Sequence, residues 1–133
     1  MRAAVFALAA LAATGCMGRS STGSGSGQAS PATRLEISVS IRGSEAPTKV
    51  WTLNCPAGGT LPHAARACRK LDNVRDPFAK IPENTACTQI YGGPEVAEVR
   101  GVYRGHRVNA QFGRGNGCEI ERWNRVRFLF PTS

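Results

Sequence analysis

The clearest pattern in the chain is a strict alternation of apolar and polar residues over 35–42. Leu35, Ile37, Val39 and Ile41 occupy every second position, which predicts a half-buried β-strand with these side chains facing a core. Further strand-like runs occupy residues 50–53, 96–103, 108–112 and 128–130. The pattern therefore predicts one antiparallel sheet of about five strands.

Two other stretches have helical spacing. The apolar positions of the first are Ala64, Ala65, Cys68 and Leu71. Thr60 as a cap and Pro62 near the first helical position predict its start, and residues 72–73 predict its end. A second, shorter helix is predicted over 118–123, with Asn116 as its cap. Hairpin strands together with two short helices indicate an α+β fold.

Glycines predict three irregular points in the second half of the chain. Gly101 interrupts a strand and indicates a bulge. Residues 103–107 form a short hairpin turn. Residues 114–117, Arg-Gly-Asn-Gly, have glycine at every second position. They are expected to be a flexible loop before Cys118.

The first residues form a signal segment, 1–15. Arg2 is followed by an apolar run over 3–13, which is shorter than the about 20 residues that a membrane span needs. Small residues before Cys16 resemble a bacterial lipoprotein signal, in which this cysteine becomes the lipidated first residue. The alternative is an ordinary secretory signal cleaved near residues 13–15, with Cys16 incidental. Both interpretations predict export.

A Ser/Gly-rich stretch, residues 16–33, separates the signal from the remainder. Such a composition predicts a flexible linker, with a reach of about 20 Å for a dozen residues. Residues 34–131 are enough for one domain of about 100 residues. The layout predicts an extracellular or cell-envelope protein, held to the outer face of the membrane if Cys16 is lipidated.

The formal net charge of +8 does not indicate a nucleic-acid partner. The arginines are scattered along the chain, and the few aromatic residues do not alternate with them as a single-strand-binding groove requires. Weak attraction to an anionic envelope or to acidic proteins is the better interpretation. The only membrane contact expected is through a lipid on Cys16.

The residues offer no support for an enzyme. His63 and His106, the only histidines, lie at a predicted helix start and a predicted turn. No serine elbow, zinc-ligand spacing or phosphate-binding loop is present in the sequence. Glu119 and Glu121 lie close to Arg122 and Arg125 along the chain and are expected to form surface ion pairs with them. We therefore expect no enzymatic activity, no metal and no cofactor.

Four cysteines remain in the domain, and in an exported protein they predict two disulfides. They are Cys55, Cys68, Cys87 and Cys118. Three pairings are possible, and sequential pairing is favoured because its short loop surrounds the first predicted helix. On a chain-entropy model each bond contributes about 3–4 kcal/mol.

The segment after Cys87 has two interpretations. Residues 88–91 are extended by propensity and are ended by residues 92–94, Gly-Gly-Pro. A disulfide on one side and this turn on the other would hold the segment outward with little freedom, which favours binding. Alternatively, Ile90 and Tyr91 belong to an ordinary core strand.

From Trp51 to Phe130 the chain resembles the Streptomyces subtilisin inhibitor family, small exported inhibitors of serine proteases. The residues that match are Leu53-Asn54-Cys55-Pro56, Gly59-Thr60-Leu61-Pro62, Ala67-Cys68, Cys87-Thr88-Gln89-Ile90-Tyr91, Gly101-Val102-Tyr103-Arg104-Gly105, Arg107-Val108 and Asn116-Gly117-Cys118-Glu119. The resemblance implies disulfides Cys55–Cys68 and Cys87–Cys118. It also implies a five-stranded antiparallel sheet with two helices, and a homodimer formed through the sheet.

The resemblance further implies that the loop after Cys87 enters a protease cleft as a substrate would. Gln89 is then the specificity residue and Gln89-Ile90 the reactive bond. Thr88 precedes that bond, and Tyr91 and Gly92 lie on its far side. An uncharged Gln89 suits an apolar pocket of the subtilisin kind better than a pocket with a buried carboxylate. The expected partner is therefore a subtilisin-type serine protease.

One departure from the family pattern lies directly after this loop. The family commonly has Tyr-Asp-Pro where this chain has Tyr91-Gly92-Gly93-Pro94. An extra residue and two glycines predict a softer loop and weaker inhibition. The alternative function is a cell-envelope binding module, or a transglutaminase substrate through Gln89, with the same fold and no strong inhibition.

Overall fold

The computed structural model describes residues 32–131. The predicted signal segment 1–15, Cys16 and most of the linker 16–33 lie outside the described residues. The predicted domain 34–131 lies within them. Neither helix of residues 32–131 is long and apolar enough to cross a bilayer.

Four antiparallel strands form the sheet. They are β1 (Arg34–Ile41), β2 (Lys49–Asn54), β3 (Glu95–Tyr103) and β4 (His106–Phe112). Their order across the sheet is β2-β1-β3-β4. The alternation in β1 buries Leu35, Ile37 and Val39 on one face, and their neighbours in β3, Ala97 and Val99, are buried with them. The period-2 prediction is confirmed for these three residues of β1. It is wrong for Ile41, which ends the strand beyond the cover of the helices and is 39% exposed.

Two helices cover the buried face of the sheet. They are α1 (Ala64–Asn73) and α2 (Gly117–Arg125). α1 contributes Ala67, Cys68 and Leu71 and α2 contributes Trp123 to the same hydrophobic cluster as the strands. Both helices therefore lie on one side of the sheet, and the α+β prediction is confirmed.

The start of α1 differs from the prediction. Thr60 does not cap the helix, because its hydroxyl accepts a hydrogen bond from Thr52 N of β2 (2.9 Å). The residue before the helix is His63, whose φ of 56° is left-handed and whose side chain makes no capping hydrogen bond. Thr60 instead continues the hydrogen bonding along the edge of β2. Spacing along the chain does not reveal that its partner lies in this strand.

The predicted strand over 128–130 is wrong, so the sheet of the described residues has four strands rather than about five. A 3-10 turn occupies Arg127–Leu129 instead. Val126, Leu129 and Phe130 are buried, while Phe128 is only half-buried. This burial has helical spacing, which the sequence does not reveal because residues 128–130 are all apolar. The Phe130 ring packs 4.5 Å from the Trp123 ring of α2, centroid to centroid.

Gly101 does not form a bulge. It pairs in register with Leu35 on one side and Val108 on the other. Its φ is +137°, and the Arg34 carbonyl oxygen occupies the space where a Cβ would lie. Glycine is therefore required here for close strand approach, which a sequence pattern cannot separate from a bulge.

The sheet has two distinct ends. The hairpin end contains the two-residue turn between β3 and β4, where Tyr103 pairs with His106. Ala32 and Thr33 lie there too, because Ala32 O accepts from Gly105 N (3.0 Å) and Thr33 O accepts from Cys55 N (3.0 Å). The opposite end is where β3 begins at Glu95. The rise per residue of a β-strand places it about 25 Å from the hairpin end.

Candidate functional site

The segment at the start of β3 is an exposed loop, residues 87–94. It has no regular secondary structure. Ile90 is 58% exposed and Tyr91 69% exposed, and Thr88 and Gln89 are also exposed. The interpretation of this segment as a core strand is therefore wrong, since no side chain of 88–91 enters the core.

A disulfide joins the beginning of the exposed loop to the first turn of α2. Cys87 and Cys118 are bonded, with their Cα atoms 5.3 Å apart. The second disulfide, Cys55–Cys68, joins the end of β2 to α1. These are the two pairs that the resemblance implies.

The N-terminal limb of the exposed loop lies against Gly117. Gly117 N donates a hydrogen bond to Thr88 O (2.9 Å). The Thr88 hydroxyl occupies the space where a Cβ of residue 117 would lie. Glycine at 117 therefore lets the helix start approach the loop closely.

The segment 114–117 is held, not flexible as predicted. Asn116 Oδ1 accepts from Glu119 N (3.0 Å), which confirms the predicted cap of α2. Glu119 Oε2 in turn accepts from Gly115 N (2.7 Å). Asn116 satisfies a donor that the helix start leaves unpaired, and Glu119 binds the backbone directly before the cap. Together they fix the turn before the helix.

The C-terminal limb of the exposed loop is bonded to the same segment. Gly92 N donates to Arg114 O (2.7 Å). A Cβ at Gly92 would lie 2.8 Å from Ile120 Cγ1, and one at Gly93, where φ is +143°, would overlap Glu95 Oε2. Contacts on both glycines oppose the predicted softening.

Arg122 fixes the chain that leads to the exposed loop. Its Nε donates to Ala79 O (2.7 Å), its Nη1 donates to Gln111 O, and its guanidinium lies 4.2 Å from the centroid of the Phe112 ring. Burial lowers the pKa of Arg122 below the ordinary arginine value.

The predicted surface ion pairs are therefore only partly present: Arg125 and Glu121 lie 3.5 Å apart, but Arg122 and Glu119 bind backbone groups.

Gln89 presents its side chain at the surface. Its only hydrogen bond in the described residues is a long one, 3.5 Å from Nε2 to Cys87 O. The bond between Gln89 and Ile90 therefore joins two exposed residues. His63 and His106 are exposed and lie away from this loop, directly before α1 and at the first residue of β4. Within residues 32–131 no group of three or more metal-ligating side chains comes together.

The positions of Glu95, Arg114 and Ile120 around the exposed loop were not predicted. None of them belongs to the predicted loop residues 87–92: Glu95 begins β3, Arg114 lies between β4 and α2, and Ile120 lies in α2. The sequence contained one signal, the glycines at 113, 115 and 117, since repeated glycine beside a cysteine indicates close backbone approach.

A family model described as subtilisin inhibitor-like matches residues 30–116. The matched range contains the exposed loop and three of the four domain cysteines. The chain belongs to the subtilisin inhibitor-like family. This confirms the family resemblance that the sequences around the cysteines indicate.

Two curated relatives are from Streptomyces. Subtilisin inhibitor-like protein 4 of Streptomyces lavendulae is 36% identical over 88 residues, which are 63% of this chain and 75% of that protein. Trypsin inhibitor STI2 of Streptomyces longisporus is 34% identical over 88 residues, 63% of this chain but only 60% of that protein.

One solved structure has a similar fold. It is Streptomyces caespitosus sermetstatin in complex with Bacillus licheniformis subtilisin, with a TM-score of 0.50 and 22% identity. The alignment covers 76% of this chain and 99% of that one. At this identity the likeness supports the fold alone.

Proposed function

We propose that the protein is an inhibitor of subtilisin-type serine proteases that acts by substrate-like insertion of the exposed loop. Gln89 is the specificity residue and Gln89-Ile90 the reactive bond. Family membership supports inhibition in general, and the relatives described as subtilisin inhibitor-like and trypsin inhibitor support a serine-protease partner.

A single observation carries the proposal. Residues 88–91 are exposed, yet the two limbs around them are hydrogen-bonded to one short segment, Thr88 O to Gly117 N and Gly92 N to Arg114 O. An extended peptide held in this way loses little conformational entropy when a protease cleft binds it. Preorganisation therefore favours tight binding.

The same contacts give a mechanism for slow turnover. After cleavage of Gln89-Ile90, the N-terminal side stays attached through Cys87–Cys118 and the C-terminal side through Gly92. The new carboxyl and amino groups remain close together, at a high effective concentration. Religation then competes with release, and the protease remains occupied.

Gln89 predicts which proteases are inhibited. Its side chain carries no charge, so a pocket with a buried carboxylate would leave that carboxylate unpaired. An apolar pocket imposes no such penalty. We therefore expect subtilisin-like enzymes to be inhibited well and trypsin-like enzymes poorly.

Titration of the purified chain against subtilisin and trypsin tests the proposal. We expect stoichiometric loss of subtilisin activity, with Gln89→Asp weakening inhibition at least about 100-fold because an unpaired charge enters an apolar pocket. Gln111→Asp, the same change at an exposed residue of β4 outside the loop, is the matched control. No inhibition by the unmodified chain at micromolar concentration would overturn the proposal and favour the binding-module alternative.

We further propose that the inhibitor is exported and is held to the cell surface through a lipid on Cys16. The described chain begins at the hairpin end, about 25 Å along β3 from the exposed loop. A tether attached there leaves the loop pointing away from its anchor. Mature protein that begins at Cys16, carries added lipid mass and enters a detergent phase would support the anchor, whereas a soluble product beginning elsewhere would exclude it.

A homodimer through the sheet remains a prediction from the family resemblance. The face of the sheet opposite the core contains Val50, which is 53% exposed, beside polar residues such as Glu36 and Ser38. Sedimentation at several concentrations would detect the dimer, and a mass of one chain at all of them would contradict it.

A further inference from the structure

We infer that Arg114 is a positioning residue for the exposed loop, and that its ion pair with Glu95 holds the limb that follows the Gln89-Ile90 bond. The inference rests on the proposed function, because it explains how the severed C-terminal side is retained. The hydrogen bond, ion pair and ring contact described for Arg114 are with Gly92, Glu95 and Trp123, not with Gln89 or Ile90. Arg114 acts through Gly92, Gly93 and Glu95.

The contacts of Arg114 connect the loop to the core. Its carbonyl accepts from Gly92 N (2.7 Å), and its Nη1 bonds to Glu95 Oε2 (2.9 Å). Its guanidinium carbon lies 5.9 Å from the centroid of the Trp123 ring, within cation–π range. Because Trp123 is buried, this clamp is fixed to the core rather than to another loop.

The arginine of the Glu95–Arg114 pair is more enclosed than the arginine of the comparable pair on the sheet, while the two glutamates are almost equally exposed. The Arg114 side chain is 28% exposed, whereas Arg100, paired with Glu98 at 2.7 Å, is 62% exposed. Solvent and salt therefore screen the loop pair less. Arg114 Nε is buried without a hydrogen-bond partner in the described part of the chain, so Glu95 is the contact that compensates for burial of the guanidinium.

The two glycines fit this clamp closely. Arg114 Cβ would lie 3.2 Å from a Cβ at Gly92, and Arg114 Nη1 would lie 3.0 Å from one at Gly93. Any side chain at Gly93 would displace Glu95 Oε2 as well. The Gly-Gly departure from the family pattern and the Glu95–Arg114 pair therefore work together: the glycines allow the approach, and the pair holds it.

Amide hydrogen exchange of the full chain, without any protease, tests the clamp directly. We expect Glu95→Gln and Arg114→Met to accelerate exchange of the Gly92 amide at least about fivefold, the size expected when one charge-assisted hydrogen bond is lost. Arg114→Lys keeps a charged donor and should retain most of the protection. The Val99 amide, in the middle of the sheet, reports global unfolding. It should remain much more protected than the Gly92 amide in every variant, so that the faster Gly92 exchange reports local opening of the loop.

The matched control is Glu98→Gln, the same substitution in the exposed pair on the sheet. It should leave Gly92 exchange unchanged. With subtilisin present, Glu95→Gln should also raise the rate of Gln89-Ile90 hydrolysis about fivefold or more, and the control should not.

Unchanged Gly92 exchange in both Glu95→Gln and Arg114→Met would overturn the inference, as would equal acceleration in Arg114→Lys and Arg114→Met. If the unmodified chain inhibits subtilisin while these variants match it in exchange and hydrolysis, the proposed function stands and this inference fails. If the unmodified chain does not inhibit, the proposed function fails, and the exchange rates alone still decide whether Arg114 holds the loop.

Discussion

The two disulfides make similar thermodynamic contributions and occupy different surroundings. Their cysteines are 13 and 31 residues apart, so chain entropy assigns each about 3–4 kcal/mol. Cys68 is only 3% exposed and packs in the core, whereas Cys87 and Cys118 are half-exposed beside the loop. One crosslink therefore supports the core and the other positions the loop, although the chain-entropy model assigns them similar energies.

Removing the loop disulfide should have the largest effect. We expect Cys87→Ala with Cys118→Ala to lower the free energy of unfolding by about 3–4 kcal/mol. The exposed loop should also be cleaved rapidly, because the N-terminal side of the cut is no longer covalently attached. Denaturant unfolding and mass analysis during incubation with subtilisin measure the two effects, and inhibition as persistent as in the unmodified chain would contradict the second.

Removing the core disulfide should affect stability but not inhibition. Cys55→Ala with Cys68→Ala is expected to lower the free energy of unfolding by about 3 kcal/mol. The loop contacts at Gly117 and Arg114 do not involve this disulfide. At temperatures where circular dichroism reports a folded protein, the inhibition constant should stay unchanged. Loss of inhibition in that folded state would break the distinction between the two crosslinks.

The fold was largely predictable from the sequence because its signals are local. The alternation in β1 and the Asn116 cap each depend on residues that are close along the chain, and both were predicted. The start of α1 and the turn at Arg127–Leu129 were not. Thr60 bonds to a strand eight residues away, and Phe130 packs on Trp123, so tertiary contacts override the local pattern there.

Gly93→Ala tests the C-terminal limb and should have an intermediate effect. We expect a loss of about 2 kcal/mol in the free energy of unfolding, from backbone strain at positive φ and displacement of the Glu95–Arg114 pair. Gly43→Ala is the control, since Gly43 also has positive φ (+74°) but has no atom within 4 Å of the Cβ position. Denaturant unfolding of both variants gives a difference that combines the loop contact with the larger strain at φ +143°. Equal losses would show that neither contributes.

Asn116→Ala should have the smallest effect. It removes the cap of α2 and is expected to lower the free energy of unfolding by about 1 kcal/mol. Asn109→Ala, at an exposed position of β4, is the comparison and should change stability little. Thermal unfolding of the two variants measures the difference. Asn109→Ala should be the more stable of the two, and equal stability would contradict the capping role of Asn116.

The candidate site was predictable only in part. The residues 87–92 follow from the family resemblance, which the cysteine contexts made specific. What holds the loop does not follow from it: Arg114 acts from another segment, and the effect of Gly92 and Gly93 reverses once their neighbours are known. A glycine pair signals softness in isolation and close approach against a packed surface.

Persistent inhibition by the proposed mechanism requires that the cleaved loop stays assembled and can be resealed. The most direct measurement starts from chain already cut at Gln89-Ile90, incubates it with a catalytic amount of subtilisin, and follows the return of the intact mass. We expect intact and cleaved chain to reach the same ratio from either starting material. Cleaved chain that never reseals, or that is degraded beyond this one bond, would contradict it.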